Sequence, residues 1–527
     1  MTRLLPLIIA ALLLAAIPST ASGSTRQESM FQDDPMLVYA SPEKVEDTLN
    51  QLQAFGVDRI RVSVFWAVIA PGNTLTQKPN FDATDPAAYP PQLWERYDRL
   101  IRSALSRGIL VNLNFTSPVP RWAAEQAPAS RPDLQKNFGP NADEFGKFVQ
   151  AVGKRYSGGY MGLPRVDYWS VWNEPNQAGW LTPQWAPDPR DPKRQVESSP
   201  AVYRSLVASA WQGLAASGHG SDTILVGETA PQGQEGRQGI TQSIDALAFL
   251  RQLYCVDSNL NLLKGSSAEV RGCPQNNPAA FVAANPGLFK ATGYAHHPYD
   301  LLAPPARRNK QKDWVTLANL GDLSFELRRI YRRYGQRTQT SRGVPLYLTE
   351  YGYQTKPDPL GLPFGTQAAW LNEADYIASR NPSVRALSQF LLVDDAPDPS
   401  VDVKKNPRVA YRTFQSGLTS LNGKRKPAYG AYITPLHVKT PRVRRGRAVS
   451  LFGMLRAAAP TVRVRVSIQW RPAGAKRWRT RRSLVVSGPR HHFNARISVP
   501  STGALRLRWV NGGPAVASRS AKITVTR

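Results

Sequence analysis

Cysteine is almost missing: 527 residues hold two, Cys255 and Cys273. With two thiols and no histidine beside them, metal binding there is not expected. Both stand in a stretch rich in Asn, Ser, Gly and Pro. In an exported chain they would close that loop as one disulfide, contributing about 2–4 kcal/mol in the loop-entropy model; two unlinked thiols are the alternative. Long apolar runs are scarce as well. Leu4–Ile17 falls short of the about 20 residues that a membrane span needs, and no later stretch is long enough. Arg3 before that run and Pro18-Ser19-Thr20-Ala21-Ser22-Gly23 after it give the order of a secretory signal peptide, residues 1–23. The expectation is a soluble exported protein, secreted or held at the cell envelope, with no integral membrane segment once the signal is removed.

Acid is missing from one end. Residues 436–527 hold 21 Lys and Arg and not one Asp or Glu, so the first 435 carry the other 46 cations against all 38 acids, +8 of the total +29. A basic protein invites nucleic acid as a partner. The export signal and the lack of a recognisable nucleic-acid fold argue against it, and none is expected. An internal repeat is absent too, as is the Gly-rich phosphate-binding turn that an open doubly wound sheet would normally bring near its start.

What is present is an alternation of strands and helices. The 42% hydrophobic content is enough for a sizeable core, and the length suits one barrel plus an appendage. Glu28–Asp33 reads as a short first strand. Ser41-Pro42-Glu43 marks a helix start, with Ser41 as N-cap and Pro42 at the first helical position; Val45, Leu49, Leu52 and Phe55 follow at helical spacing, and Gly56 stops the helix. Further strands are expected at Arg59–Phe65, Ile109–Phe115, Val166–Trp172, Thr223–Val226, Ala291–Ala295, Leu346–Thr349 and Val384–Leu392. Helical patterns at Leu93–Arg107, Ala142–Tyr156, Val202–Ser217, Ile244–Tyr254, Leu323–Tyr334 and Gln367–Ser379 separate them, and Pro427–Tyr432 opens a closing helix. Such an α/β alternation implies parallel strands with crossover helices, and a (β/α)₈ TIM barrel over residues 24–434 closes it most economically, with its active site at the carboxyl ends of the strands. Near Pro435 the period changes to two: Val462, Val464, Val466 and Ile468 alternate with Arg463, Arg465, Ser467 and Gln469, and Leu505–Val510 and Ile523–Thr526 alternate likewise. Residues 435–527 are expected to form a basic, all-β, Ig-like sandwich of antiparallel strands.

Two of the expected barrel strands end in a glutamate. Tyr168-Trp169-Ser170-Val171-Trp172-Asn173-Glu174-Pro175 carries an Asn-Glu pair to a sharp stop, and Leu346-Tyr347-Leu348-Thr349-Glu350-Tyr351-Gly352 repeats the pattern downstream. Trp172 beside Glu174 would partly desolvate the carboxylate, and desolvation is how a glutamate comes to donate a proton near neutral pH. Glycosidic chemistry needs a second carboxylate opposite the first. Either motif alone could be a capped turn or an ordinary strand end.

Together on strands four and seven, the two motifs resemble the glycoside hydrolases of clan A, nearest in appearance to the cellulase-like family 5 and to family 39. The resemblance covers roughly Glu28 to Thr434. It implies Glu174 as acid/base and Glu350 as nucleophile. It further implies that Arg61 steadies the nucleophile, that Asn173 bonds the sugar's 2-hydroxyl, and that His297-Pro298-Tyr299 supplies a site-lining His297 and a Tyr299 donating to Glu350. His296-His297 is read as a packed or substrate-facing pair rather than a metal site. Trp66, Trp122 and Trp180, like Trp172, follow strand-like runs and are candidates to stack on sugar faces, the alternative being core positions. One departure stands out: the stretch Ser388-Gln389-Phe390-Leu391-Leu392-Val393-Asp394 has no Trp where the clan places one under the reacting sugar, which leaves the substrate class open.

The expectation is a secreted retaining glycosidase acting on a poly- or oligosaccharide with two Glu residues and no metal or organic cofactor. A transglycosylase on the same residues and a non-catalytic carbohydrate- or envelope-binding protein are the alternatives. The acid-free domain is expected to hold the protein on an anionic cell-envelope polymer, or else to be a solvated face of biased composition.

Overall fold

The computed structural model describes residues 27–234, 236–275, 277–510 and 512–527; the signal peptide expected over residues 1–23 lies outside them. Local chemistry sets the first turn of the fold. Ser41 Oγ accepts from Lys44 N ahead of helix Pro42–Phe55, and Gly56 ends that helix in the left-handed region at φ 76°. Val45, Leu49, Leu52 and Phe55 make its buried face.

Eight strands follow one another through the first part of the chain: β1 Glu28–Gln32, β2 Arg59–Phe65, β3 Leu110–Thr116, β4 Tyr168–Val171, β5 Thr223–Thr229, β6 Gly293–His296, β7 Leu346–Leu348 and β8 Val384–Phe390. Every pair is parallel, and β1 bonds both β2 and β8, so the barrel closes without an edge. Strands sandwiched between barrel interior and outer helices are covered on both faces, which is why β2 is buried at every residue but Phe65, its Arg59, Arg61 and Ser63 included. Met30, Leu225, Ala295, Tyr347 and Ala386 fill the interior. A disulfide joins Cys255 to Cys273.

Sequence periodicity missed several short elements. A hairpin of Trp185–Asp188 and Asp191–Glu197 stands beyond β4, its second strand polar and largely exposed, so no apolar alternation announces it.

Past Pro435 the chain forms two sheets around a separate core that includes Val466, Ile468, Trp470, Leu505, Leu507 and Trp509. One sheet holds Leu436–Val438, Ala448–Met454 and His492–Ser498; the other runs Arg442–Arg444, Ala521–Thr526, Gly503–Val510, Val464–Pro472, Arg479–Val486, with Ala515–Ala517 beside Gly503–Val510. The expected antiparallel pairing has one exception: Arg442–Arg444 runs parallel to Ala521–Thr526. The three-stranded sheet faces the barrel, where Tyr376 of helix Phe364–Arg380 stacks on His437 at 5.1 Å and meets Phe452 at 5.5 Å. Arg456, its side chain almost covered, bonds Asp375 at 2.7 Å and Ser29 Oγ, and Arg490 reaches Asp58 at 2.5 Å. Ser29 lies in β1 and Asp58 directly precedes β2, so the sandwich is docked under the amino ends of the strands. Among the described residues no helix is long and apolar enough to cross a membrane.

Candidate active site

Glu174 stands just past β4 and Glu350 just past β7, both on the carboxyl rim. One carboxylate oxygen of each lies within 4.8 Å of the other and of a ring nitrogen of His297. The chain bends sharply to bring Glu174 there. Trp172 and Glu174 take the left-handed backbone region, at φ 68° and 38°, a conformation that costs a non-glycine residue about 1–3 kcal/mol. Neighbouring strands hold the bend: Trp172 N donates to Phe115 O, Asn114 Nδ2 donates to Trp172 O, and Glu174 N donates to Glu228 O at 2.9 Å.

Arg61 reaches the site from β2, buried throughout. Nη1 donates to Glu350 Oε1 at 2.8 Å and Nη2 to Asn173 Oδ1 at 2.7 Å and Glu228 Oε2 at 3.0 Å. The bond from Arg61 fixes the Asn173 amide, which lines the cavity with Nδ2 left as its donor atom. Tyr299 Oη donates to Glu350 Oε2 at 3.1 Å. Burial pushes the Glu350 carboxyl above its ordinary value; His297 and Arg61 pull it down, while Glu174 and Glu228 push it further up. On balance the carboxyl lies above its ordinary value, with two cations rather than one opposing the rise.

His297 is the second cation. Its Nδ1 faces Glu174 Oε1 at 2.9 Å and its Nε2 faces Glu228 Oε2 at 2.8 Å. Burial alone would lower its affinity for the proton, but Glu350, Glu174 and Glu228 outweigh burial and bring the pKa to about 10. With an N–H directed at a carboxylate from each nitrogen, the ring has no lone pair to offer a metal. His296 is its opposite: burial lowers it to about 3, and it packs between Thr229 Oγ1 and Val315 O, both at 2.8 Å.

Glu228 was not foreseen. The apolar pattern ends at Val226, while the strand runs on to Thr229. Gly227 pairs with Ala295 and Thr229 with His296, so Glu228 is the extra residue of a bulge, the device that re-aims a side chain inside a sheet. Burial alone would raise this carboxyl, yet Arg61 and His297 bring it down to about 2.

The aromatic expectations divide. Trp180 lines the cavity over the two carboxylates. Trp66 is fully buried, stacked on Phe148 and packed against Phe145, and cannot meet a sugar. Trp122 packs on Trp66 and Phe81, away from the cavity wall, with its Nε1 donating to Pro71 O. Trp172 likewise turns into the core against Phe145 rather than flanking Glu174. Helix Ala142–Arg155 claims Trp66 and Trp172, and Trp66 with Phe81 claims Trp122, none of which sequence spacing reveals. Where a Trp was missed on β8, Phe390 takes the position, edge-on to Tyr299 and Phe414 at 6.4 and 5.2 Å.

The cavity over the carboxylates measures about 660 Å³. Among the described residues its wall carries no Lys or Arg; its charged groups are Asp34, Glu174, Glu350 and Asp395, and its amides include Gln32, Gln177, Gln232, Gln234 and Gln354.

A closed parallel barrel with this pair of carboxylates on its carboxyl rim is the frame of a glycosidase. The Cellulase family (glycosyl hydrolase family 5) matches residues 21–385, and the chain belongs to that family. Among solved structures it is similar to the GH39 enzyme from Xanthomonas axonopodis pv. citri (14% identity, TM-score 0.46, covering 91% of this chain and 93% of that one). A monomeric beta-xylosidase from Caulobacter crescentus CB15 gives 14% identity, TM-score 0.46, and 91% and 95% coverage. GH5_18 from Streptomyces cattleya in complex with GlcNAc gives 14%, 0.44, and 78% and 79%. No curated protein matches the chain.

Proposed function

We propose that the protein is an exported, retaining glycosidase that works by double displacement on a neutral glycan. The observation that carries the mechanism is the approach of Glu174 and Glu350 within 4.8 Å. Retaining enzymes hold their carboxyl groups about 5–5.5 Å apart, whereas inverting ones leave room for water at about 6.5–9.5 Å. Glu350, steadied by Arg61 and Tyr299, attacks the anomeric carbon as Glu174 gives its proton to the departing glycosidic oxygen. The ester that forms on Glu350 is then opened by water, whose proton returns to Glu174, and Glu350 leaves as a carboxylate. The cavity wall supports a neutral sugar: carboxylates and amides bond hydroxyls, and with no basic side chain on that wall among the described residues a uronate would find carboxylates and no counterion there.

The acid-free sandwich has a different task in this reading. The outer face of its larger sheet carries Arg465, Arg508 and Lys522, exposed, and Arg471 and Arg506, half-buried, whose guanidiniums lie on the Trp478 ring at 4.7 and 4.4 Å. Planar forks held in place match carboxylate or phosphate groups, so this face would hold the enzyme on an anionic envelope glycan.

A panel of aryl glycosides and plant, fungal and bacterial polysaccharides tests the activity and names the sugar. Glu350→Gln should abolish turnover of every substrate. Glu174→Ala should spare glycosides with activated leaving groups, and azide should restore part of its rate. Near-wild-type hydrolysis of a polysaccharide by both variants would place catalysis elsewhere.

A further inference from the structure

The reaction above leaves Glu228 without a task. Its carboxylate is wholly buried and off the cavity wall, so it touches no substrate. Oε2 accepts from Arg61 Nη2 at 3.0 Å, from Thr349 Oγ1 at 2.7 Å and from the His297 ring at 2.8 Å. A carboxylate so buried costs several kcal/mol unless its partners are excellent. The fold goes to some length to place it. Gly227 before it sits at φ 106°, and a Cβ there would come within 2.6 Å of the Tyr294 ring and 2.7 Å of Ala295 O, so the bulge that aims Glu228 inward depends on glycine.

The consequence falls on His297. Its two nitrogens face two carboxylates, and the ring donates to both when both nitrogens carry protons. The charged and titratable groups around the ring are Glu174 past β4, Glu228 on β5 and Glu350 past β7, whose Oε2 is 3.6 Å away. Arg61 of β2 reaches both Glu228 and Glu350, Tyr299 bonds Glu350, and neutral His296 adjoins. Of the three carboxylates, Glu228 alone keeps its charge throughout the reaction, because Glu350 becomes an ester and Glu174 exchanges its proton.

We propose that Glu228 is a positioning residue of the glycosidase: through Nε2 it locks His297 as an imidazolium whose Nδ1–H meets Glu174, so that the charge left on Glu174 when its proton departs faces a fixed positive group. This rests on the reading of Glu174 as acid/base. A charge-assisted hydrogen bond that strengthens as the acceptor ionises favours the step it accompanies. Substrates whose leaving group needs protonation should feel its loss most.

The test uses the full chain with Glu228→Gln, which keeps shape and removes charge, and Glu228→Asp, which keeps charge and lengthens the contact. Ring nitrogen NMR follows the chain's six histidines. In the wild type His297 should stay doubly protonated past pH 8, and in Glu228→Gln its proton affinity should fall at least about ten-fold. In parallel, kcat/KM is compared for methylumbelliferyl and dinitrophenyl glycosides of the sugar that the panel identifies. Glu228→Gln should lose about ten- to a hundred-fold on the first and no more than about three-fold on the second; Glu228→Asp should recover most of both readouts. An unchanged His297 titration, or an equal fall on both glycosides, would overturn the proposal. A wild type inactive on every glycoside would sink the proposed function instead, and the ring titration would still decide whether Glu228 holds the charge.

Discussion

Most buried cations of the barrel have acids beside them, Arg204, which donates to four backbone carbonyls, being an exception. Arg61 lies between Glu228 and Glu350, Arg251 between Asp313 and Glu326, and Lys426 against Asp394. In the sandwich, among the described residues, Arg456 and Arg490 are the cations in ion pairs, and both acids, Asp375 and Asp58, belong to the barrel. The barrel thus uses charge to fix geometry, and these three cations are held by counterions that the same domain supplies. The sandwich has no acid of its own, folds on its apolar layer, and leaves its cations to solvent, to a polyanion, or to the barrel. The docking pairs are one-sided as a result, and a barrel expressed without its partner would expose Asp375 and Asp58 with no guanidinium to meet them.

The comparison can be broken most sharply inside the barrel. Arg61→Leu should strand Glu228 and Glu350 without their shared guanidinium, costing about 3–5 kcal/mol in denaturant unfolding and a hundred-fold or more in kcat/KM. A variant as stable as the wild type would show that barrel charges are as dispensable as those of the sandwich. Next comes the seam. Arg456→Met should cost about 3 kcal/mol by leaving Asp375 buried alone, and adding Asp375→Leu should recover most of that loss; an additive double mutant would mean that the two do not act as a pair.

A smaller effect lies in pH. His297 sits at about 10 against an ordinary 6.5, so its contribution is complete below pH 6.5 and is lost as pH rises through about 10. Glu228 sits at about 2 against 4.5, so its contribution is complete above pH 4.5 and is lost as pH falls through about 2. The thermal midpoint should therefore decline between neutral pH and pH 10, and His297→Asn should flatten that decline. The smallest effect on stability belongs to the far sheet. Replacing Arg471, Arg506 and Arg508 together by Gln should move the unfolding free energy by no more than about 0.5 kcal/mol per site. The same change should abolish retention of the full chain on polygalacturonate at low salt, a retention that high salt removes from the wild type. Retention indifferent to salt would leave the sandwich a structural appendage.

Strand ends, caps and the two glutamates were legible because they depend on neighbours in sequence: Ser41, Pro42 and Gly56 bound a helix by their own chemistry, and Glu174 and Glu350 each end an apolar run. The family resemblance supplied the long-range partners Arg61 and Tyr299, which the structure brings onto Glu350. Glu228 was not legible. A bulge shifts its strand by one residue, and what makes the carboxylate tolerable is a pair of cations from β2 and the turn after β6. Trp66, Trp122 and Trp172 failed as sugar platforms for a related reason: an indole after a strand can face cavity or core, and Trp66 and Trp172 turn to helix Ala142–Arg155 while Trp122 packs on Trp66 and Phe81.

The placement of the sandwich bears on reach. The cavity opens among the carboxyl ends of the strands, whereas the basic sheet lies on the far side of a sandwich docked under their amino ends. A glycan gripped at one pole is out of range of the other unless it wraps around the whole barrel. Under the proposed grip of the basic face on a polyanion, holding and cutting would fall on different chains, or on distant stretches of one, and a dense mesh of mixed polymers would suit such an enzyme better than a single dissolved strand.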